Sequence, residues 1–566
     1  MSFRTLRKGF ATPREASELF GKASRHREEL PKRFGKIPRP GLCGKITKRA
    51  KSPKDLLTFA YQIKENRIMK TPFHHSVAVA VLLSLTGCVI NPPQEFQQKE
   101  ESPVIYPDYS GITLPHNIAP MNFQIEEDGE QFIAVASAPK GERLIASGKA
   151  IQWNLKEWHR LLDGNRGDTL SIDIYVQKEG TWNRYRTIKN LIAQEAIDPY
   201  LSYRLIEPLY VFYENMSLCQ RDLTSFDERT LINNGRPVEE ERGRCVNCHA
   251  YQDYNRGGNM QFHVRGYKGG TLLATEDGVR KIDLKSEKSP FDGVYPAWHP
   301  TLPVIAYSTN TTRQHFHSKV RQKVEVMDLA SGLILYDTKN NSVKTISDKP
   351  DELETFPAWS PDGRTLYYVS ARYPEGVPME KDSLFNHYQE FHYDIFRKSF
   401  DPESRAFSAT ADTVLAASKQ GKSATFPRVS PDGKYLLFTM GDYGTFHIWH
   451  HDSDLYLMDL ASGETRPLSE ANSPSTDSYH SWSSDGSWIV FSSRRDDGSY
   501  TRPYICHFKD GQASKPFIVP QESPTYYKEL FKSYNVPEFM VKPVSVSRKD
   551  WQQAIEAPAR RATYEP

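Results

Sequence analysis

The chain has 566 residues, 25% of them charged, a hydrophobic fraction of 38% and a net charge of +3. The positive balance sits at one end: residues 1–68 carry 18 Lys and Arg against 6 Asp and Glu, which leaves the remaining 498 residues at −9. A mildly acidic body excludes the basic, phosphate-tracking surface that nucleic-acid binding requires.

In chain order, residues 1–68 have little hydrophobic period and several Pro and Gly. They read as a disordered or mis-annotated extension, with translation expected to start at Met69. Met69-Lys70 opens a positive segment followed by the apolar run Ser76–Leu85, the pattern of a signal peptide over 69–87. The run is too short to span a bilayer as a helix. A buried helix of a cytoplasmic protein is the alternative. Leu85-Thr86-Gly87-Cys88 resembles the lipobox of bacterial lipoproteins, which implies lipidation of Cys88. A polar, proline-containing tether over 88–110 suits such an anchor. The expected location is the periplasmic side of a bacterial membrane or the cell surface, the outer membrane first.

The body, 111–545, contains short β-rich runs between turn formers. Four stretches repeat: Tyr295-Pro-Ala-Trp298-His-Pro300, Phe356-Pro-Ala-Trp359-Ser-Pro-Asp-Gly363, Phe426-Pro-Arg-Val429-Ser-Pro-Asp-Gly433 and Tyr479-His-Ser-Trp482-Ser-Ser-Asp-Gly486. Each predicts a strand, a turn and a second strand; Asp-Gly supplies the left-handed backbone of a tight hairpin. Further strands follow each unit, so the pattern predicts an all-β fold, a β-propeller. Weaker units are placed at Asp198-Pro199 and near Ala119-Pro120, with a polar insertion from Gly148 to Asp168 and strands at Thr169–Val176 and Trp182–Arg186. Starts near 120, 199, 245, 295, 356, 426 and 479 give seven blades, with six or eight as alternatives. Residues 546–566 are read as a C-terminal tail.

One motif carries chemistry. Cys245-Val-Asn-Cys248-His249 is Cys-x-x-Cys-His, the attachment signature of c-type haem. The spacing lets both thiols reach the two vinyl edges of one porphyrin, and puts His249 under the iron as proximal ligand. A zinc pair and a disulfide or redox pair at Cys245 and Cys248 are the alternatives; export favours haem. Aligning Cys245 with Tyr295 places the motif in the first strand of the third blade, beside the channel. Distal ligand candidates are Met260 or His263, or a histidine from loops between second and third strands of other blades, such as His315, His317 or His447. The same loops carry His387, His392, His450 and His451. Arg265 or Arg313 is a candidate partner for a haem propionate. Cys219 and Cys506 are left over, as a disulfide or as buried thiols. There is no Gly-rich phosphate loop, no Gly-x-Ser-x-Gly and no His-Glu-x-x-His.

Taken together, the haem motif, Met260-Gln-Phe-His-Val-Arg265, Tyr295-Pro-Ala-Trp-His-Pro300 and the Ser-Pro-Asp-Gly turns resemble Bacteroidetes-type lipoproteins with TolB-like (PD40, WD40-like) repeats and one cytochrome-c haem-binding motif. The resemblance implies a periplasmic or outer-membrane-associated propeller with one covalent haem c, and no defined reaction. The expected function is a membrane-anchored one-electron carrier or redox module on a scaffold that docks a redox or scaffold protein partner. A TolB-like binding scaffold with a structural or sensory haem is one alternative. A haem enzyme acting on peroxide or a small ligand is another, though the chain carries no recognised catalytic set.

Overall fold

The computed structural model describes residues 91–565 apart from 208–214, 235–243, 287–290, 318–321, 323 and 379–380. The basic stretch 1–68, the signal segment and Cys88 lie outside the described residues. Among those described, no helix is long and apolar enough to cross a membrane.

Six sheets repeat one plan, that of a β-propeller. Their innermost strands are β1 (Arg244–Tyr251), β2 (Val294–Trp298), β3 (Glu352–Trp359), β4 (Ser423–Val429), β5 (Asp477–Trp482) and β6 (Ser533–Met540). From β1 to β5 each sheet runs outward as an antiparallel meander; β1 is followed by Met260–Gly266, Gly270–Thr275 and Gly278–Asp283. β6 is the exception. It comes from the far end of the chain and pairs with Tyr200–Ile206, ahead of Ser217–Asp222 and Glu228–Asn233. The sheet is therefore closed by the two ends of the repeated region.

Two expected unit starts differ from this. The stretch at Asp198-Pro199 leads into the second strand of its sheet, because β6 supplies the first. The stretch after Ala119-Pro120 belongs to other sheets. Phe123–Ile125 pairs with Ile105–Tyr106 and Ala150–Ile151, and Gln131–Ser137 pairs with Thr169–Lys178 in a seven-stranded sheet. The expected polar insertion contains helix α1 (Leu155–Asp163), capped by the Asn154 side chain on the backbone of Lys156 and Glu157. Buried side chains of this N-terminal region form one core with those of the β5 sheet.

The inner strands share a device that sequence patterning did not resolve. Each carries a bulge whose first residue is left-handed: Cys248 (φ 51°), Tyr295 (48°), Phe356 (49°), Phe426 (56°), Tyr479 (48°) and Val536 (49°). None is glycine, although a side chain there costs about 1–2 kcal/mol. The reason is packing. Tyr295 meets Phe356 at 4.4 Å, Phe356 meets Phe426 at 5.4 Å and Phe426 meets Tyr479 at 5.0 Å between ring centroids. Such a contact contributes about 0.5–1.5 kcal/mol beyond the burial of the rings, and the two together outweigh the backbone cost. The bulge also corrects the motif's register: Cys248, and not Cys245, is the counterpart of Tyr295.

Neighbouring sheets are stapled just beyond the bulge. Trp298 Nε1 donates to the Ala250 carbonyl (3.3 Å), Trp359 to that of Ala297 (3.1 Å) and Trp482 to that of Arg428 (3.1 Å). The Asp-Gly hairpins form as expected, with Gly363, Gly433 and Gly486 left-handed and Ser360, Ser430 and Ser483 bonded to the Asp side chain two residues on. The tail is structured. Helix α2 (Arg548–Glu556) packs Trp551 on Phe262 at 4.8 Å, and Arg560–Arg561 and Thr563–Tyr564 add parallel to the outer edges of the β1 and β2 sheets.

Candidate functional site

All six inner strands line one cavity of about 580 Å³. Its wall takes Cys248 and His249 from β1, Tyr295 from β2, Phe356 from β3, Phe426 and Arg428 from β4, Tyr479 from β5, and Val536 and Glu538 from β6. Residues between the second and third strands cover one end, among them Met216, Trp449, His451, Arg494 and Tyr500. The aromatic belt runs through β2 to β5 and is broken at the adjacent β6 and β1, where Val536 and Cys248 take the aromatic place.

The bulge organises the motif. Asn247 pairs with His263 and Ala250 with Gln261, so Cys248 and His249 together oppose one residue, Phe262. Both then reach the cavity. Cys245 is not among the residues that line the cavity; it lies opposite Arg265, with its Sγ 4.0 Å from Met216 Sδ. Neither thiol is in a disulfide. Burial pushes the Cys245 thiol up, against the pull of Arg265 and Arg204.

His249 is buried, and neither ring nitrogen makes a well-formed hydrogen bond. Its Nε2 is 3.5 Å from Oε2 of Glu538. Burial, with Arg204 nearby, holds the imidazole down at about 3 against the Val536 backbone, and burial raises Glu538 to about 7 against Arg428 and Arg204. His480 is an internal comparison. It occupies the same place in β5, directly after the left-handed residue, is equally buried, and has its Nε2 3.1 Å from the Leu437 carbonyl oxygen. The Nδ1 of His480, like both ring nitrogens of His249, has no well-formed bond, so the two histidines differ at Nε2 alone.

Three guanidinium groups, Arg204, Arg265 and Arg428, line the cavity without an ion pair among the described residues. Arg428 lies over the Phe426 ring at 4.2 Å and bonds its neighbour's carbonyl. Arg494 stacks on Trp449 at 4.6 Å and donates to the carbonyls of Ile448 and Ser499.

The sequence-based distal candidates lie elsewhere. Met260 is buried in the core between the β1 and β6 sheets. His263 contacts Thr271 (3.5 Å) and Asp292 (3.5 Å). His315 packs on Phe385 and His317, and His317 faces Tyr388. His447 sits between Thr425 Oγ1 and the Tyr443 carbonyl, each at 3.2 Å. None of these five lines the cavity, whereas His451 does. Arg265 lines it; Arg313 lies over Phe385 at 4.6 Å. Cys219 and Cys506 are unpaired, buried, and pushed up to about 12 by burial.

Val536, Glu538, Arg204 and Met216 were missed by sequence reasoning. A signal for β6 existed: Val536-Pro537 repeats the pairs Tyr295-Pro296, Phe356-Pro357 and Phe426-Pro427. It lacks the Asp-Gly turn because its hairpin partner lies near the start of the repeat region. Among the described residues no group of three or more His, Cys, Asp or Glu is placed to hold a metal ion.

No family model and no curated protein matches the chain. Among solved structures, an oligogalacturonate lyase in complex with manganese is 14% identical, covering 68% of this chain and 99% of that one at a TM-score of 0.25. An ACO/RPE65 chimera is 11% identical over 78% of this chain and 97% of that one, at 0.31. A DUF4784 family protein from Bacteroides caccae is 8% identical over 64% and 95%, at 0.26. At these identities and scores none of them carries an argument about this chain.

Proposed function

We propose that this chain is a c-type haem protein, lipid-anchored through Cys88 on the periplasmic side of a bacterial membrane, the outer membrane by preference. Its six repeated sheets are the blades of one ring, and the ring presents a single covalent haem to a redox partner for one-electron transfer. The haem motif then lies on the innermost strand of the second blade.

The observation that carries this reading is His249 itself, a buried imidazole whose ring nitrogens make no well-formed hydrogen bond, set beside Cys248 on one bulge in the cavity wall. A buried polar group left without its bond costs about 1–3 kcal/mol, and a lone pair given to a metal would offset that cost. Further support comes from the donor set: two free thiols three residues apart, Cys248 lining with His249 a cavity of about 580 Å³. Ligand pockets fall in roughly this size range, about 300–1,000 Å³. Cys245 and Cys248 would hold the porphyrin edge and His249 would take the iron from the strand side. Such a group supplies a one-electron iron couple, tuned by its axial ligands and surroundings. Tyr295, Phe356, Phe426 and Tyr479 keep the opposite wall apolar, and Arg204 and Arg265 hold positive charge beside the thiols.

The test is mass spectrometry and optical spectroscopy of the full chain made with the haem-attachment machinery. The expected result is one haem per chain, bound through both cysteines, and a lipidated Cys88. Unmodified thiols at 245 and 248, or stoichiometric zinc, would sink the reading. Partner binding unchanged in a Cys245→Ala/Cys248→Ala variant would favour the scaffold alternative over electron transfer.

A further inference from the structure

We infer that the cavity is a binding site for an amphiphilic carboxylate, with Arg204 and Arg265 taking the carboxylate and the aromatic side chains of β2 to β5 taking its apolar body. Such a site does not depend on the haem reading: a haem c, with its carboxylates, is one molecule of this class and a free carboxylic acid is another.

The cavity has two unlike sides. β2 to β5 give Tyr295, Phe356, Phe426 and Tyr479. The adjacent β6 and β1 sheets, where that belt is broken, each add a guanidinium from the second strand: Arg204 from Tyr200–Ile206 and Arg265 from Met260–Gly266. Both lie within electrostatic reach of one group, the Cys245 thiol. Among the described residues neither makes an ion pair or donates a hydrogen bond, and the Nε of Arg204 is buried. Arg184 and Arg221 mark the contrast. Each also has a buried Nε without a partner, yet its terminal nitrogens are bonded: Arg184 to Asp173 at 2.8 Å, Arg221 to the carbonyls of Phe226 and Pro520 at 2.6 and 3.0 Å.

The wall's own carboxylates do not supply the missing partner. Glu207 is held by Lys532 at 3.1 Å. Asp497 accepts from the backbone N–H groups of Ser499 and Tyr500. Glu538 faces His249 and lies within ion-pair distance of no guanidinium among the described residues. A carboxylate meets a guanidinium through two parallel N–H bonds, which a partly desolvated wall strengthens. A small ion such as sulfate would meet the same groups but gain nothing from the rings opposite, whereas an apolar body attached to the carboxylate is buried against them. A volume of about 580 Å³ admits both parts.

The probe is naphthoate, with naphthamide as its uncharged counterpart, titrated by calorimetry into the full chain made without the haem-attachment machinery. One site per chain is expected, with the acid bound at least about tenfold more tightly than the amide, as a charge-assisted pair implies. Arg204→Met and Arg265→Met should each weaken the acid by about tenfold and leave the amide unchanged. Arg204→Lys should fall between, and Arg313→Met, which lies over Phe385 outside the cavity, should match the wild type. Thermal melts confirm equal folding. Equal affinity for acid and amide, acid binding indifferent to both cavity arginines, or no acid binding at millimolar concentration would each overturn the site. The same titration of the haem-loaded chain identifies the source of the carboxylate. Loss of the naphthoate site there assigns it to the attached haem, and retention assigns it to a free acid. Retention on a chain whose Cys245–His249 peptide carries haem mass would count against a haem in this cavity and leave the carboxylate site standing.

Discussion

Cys248 stands where four of the other five inner strands place tyrosine or phenylalanine, and with Val536 beside it the aromatic belt has a gap two strands wide. Filling that gap tests its meaning. Val536→Phe completes the belt from the β6 side; it should fold, and should carry severalfold less haem per chain than the wild type when both are made with the attachment machinery. Equal loading would show that the gap is not where the ring sits. The Trp staples are a second residue-scale test. Trp482→Phe removes the donor to the Arg428 carbonyl and should cost about 1–3 kcal/mol, read as a shift of the urea midpoint. The motif was legible because cysteine spacing is a chemical constraint written locally. Its register was not, since the left-handed place accepts Tyr, Phe, Val and Cys alike and only the pairing with Met260–Gly266 shows that Cys248 occupies it.

At the scale of elements, the hairpin Thr311–Phe316/Val324–Ala330 lies between the second and third strands of the β2 sheet. It buries Asp328, which accepts from Asn310 Nδ2 at 2.8 Å and from the Tyr393 hydroxyl at 3.4 Å. Burial raises this carboxyl from 3.8 to about 7, the two hydrogen bonds pulling the other way. The folded state therefore holds a proton that the unfolded chain releases near 3.8. The stabilisation is complete below that pH and is lost as pH rises through about 7. Asp328→Asn keeps an acceptor and removes the titration. In thermal melts at pH 5 and pH 8 the variant should lose less stability than the wild type on going to pH 8, and an equal loss in both would refute the assignment. Strands with Asp-Gly hairpins were readable, because turn chemistry is local. The N-terminal sheets were not, because a strand such as Gln131–Ser137 has the same alternation whether it joins a blade or another sheet, and only its pairing with Thr169–Lys178 decides.

At the scale of the whole molecule, the last of the six inner strands, β6, completes its sheet from the far end of the chain. β6 supplies the innermost strand of the sheet that begins at Tyr200, and β6 carries Glu538 and Val536 into the cavity wall. Removing everything from Ser533 onward should abolish cooperative unfolding, as seen by calorimetry. Removing only residues 547–566 deletes α2 and two edge strands. The loss of Trp551 from its core costs about 3–5 kcal/mol, so that shorter truncation should melt cooperatively at a lower temperature. This closure was hidden in the sequence because the partners are far apart and share no turn.

The same closure sets an order of events during synthesis. The Cys-x-x-Cys-His strand leaves the ribosome long before β6, by roughly 15–60 s at about 5–20 residues per second. Until β6 arrives, the wall beside His249 does not exist, and the thiols lie on a strand whose neighbouring sheet lacks its inner edge. The growing chain therefore exposes Cys245 and Cys248 before β6 is present to pack beside them. The last of the inner strands to be made is then the one that completes the wall around Cys248 and His249.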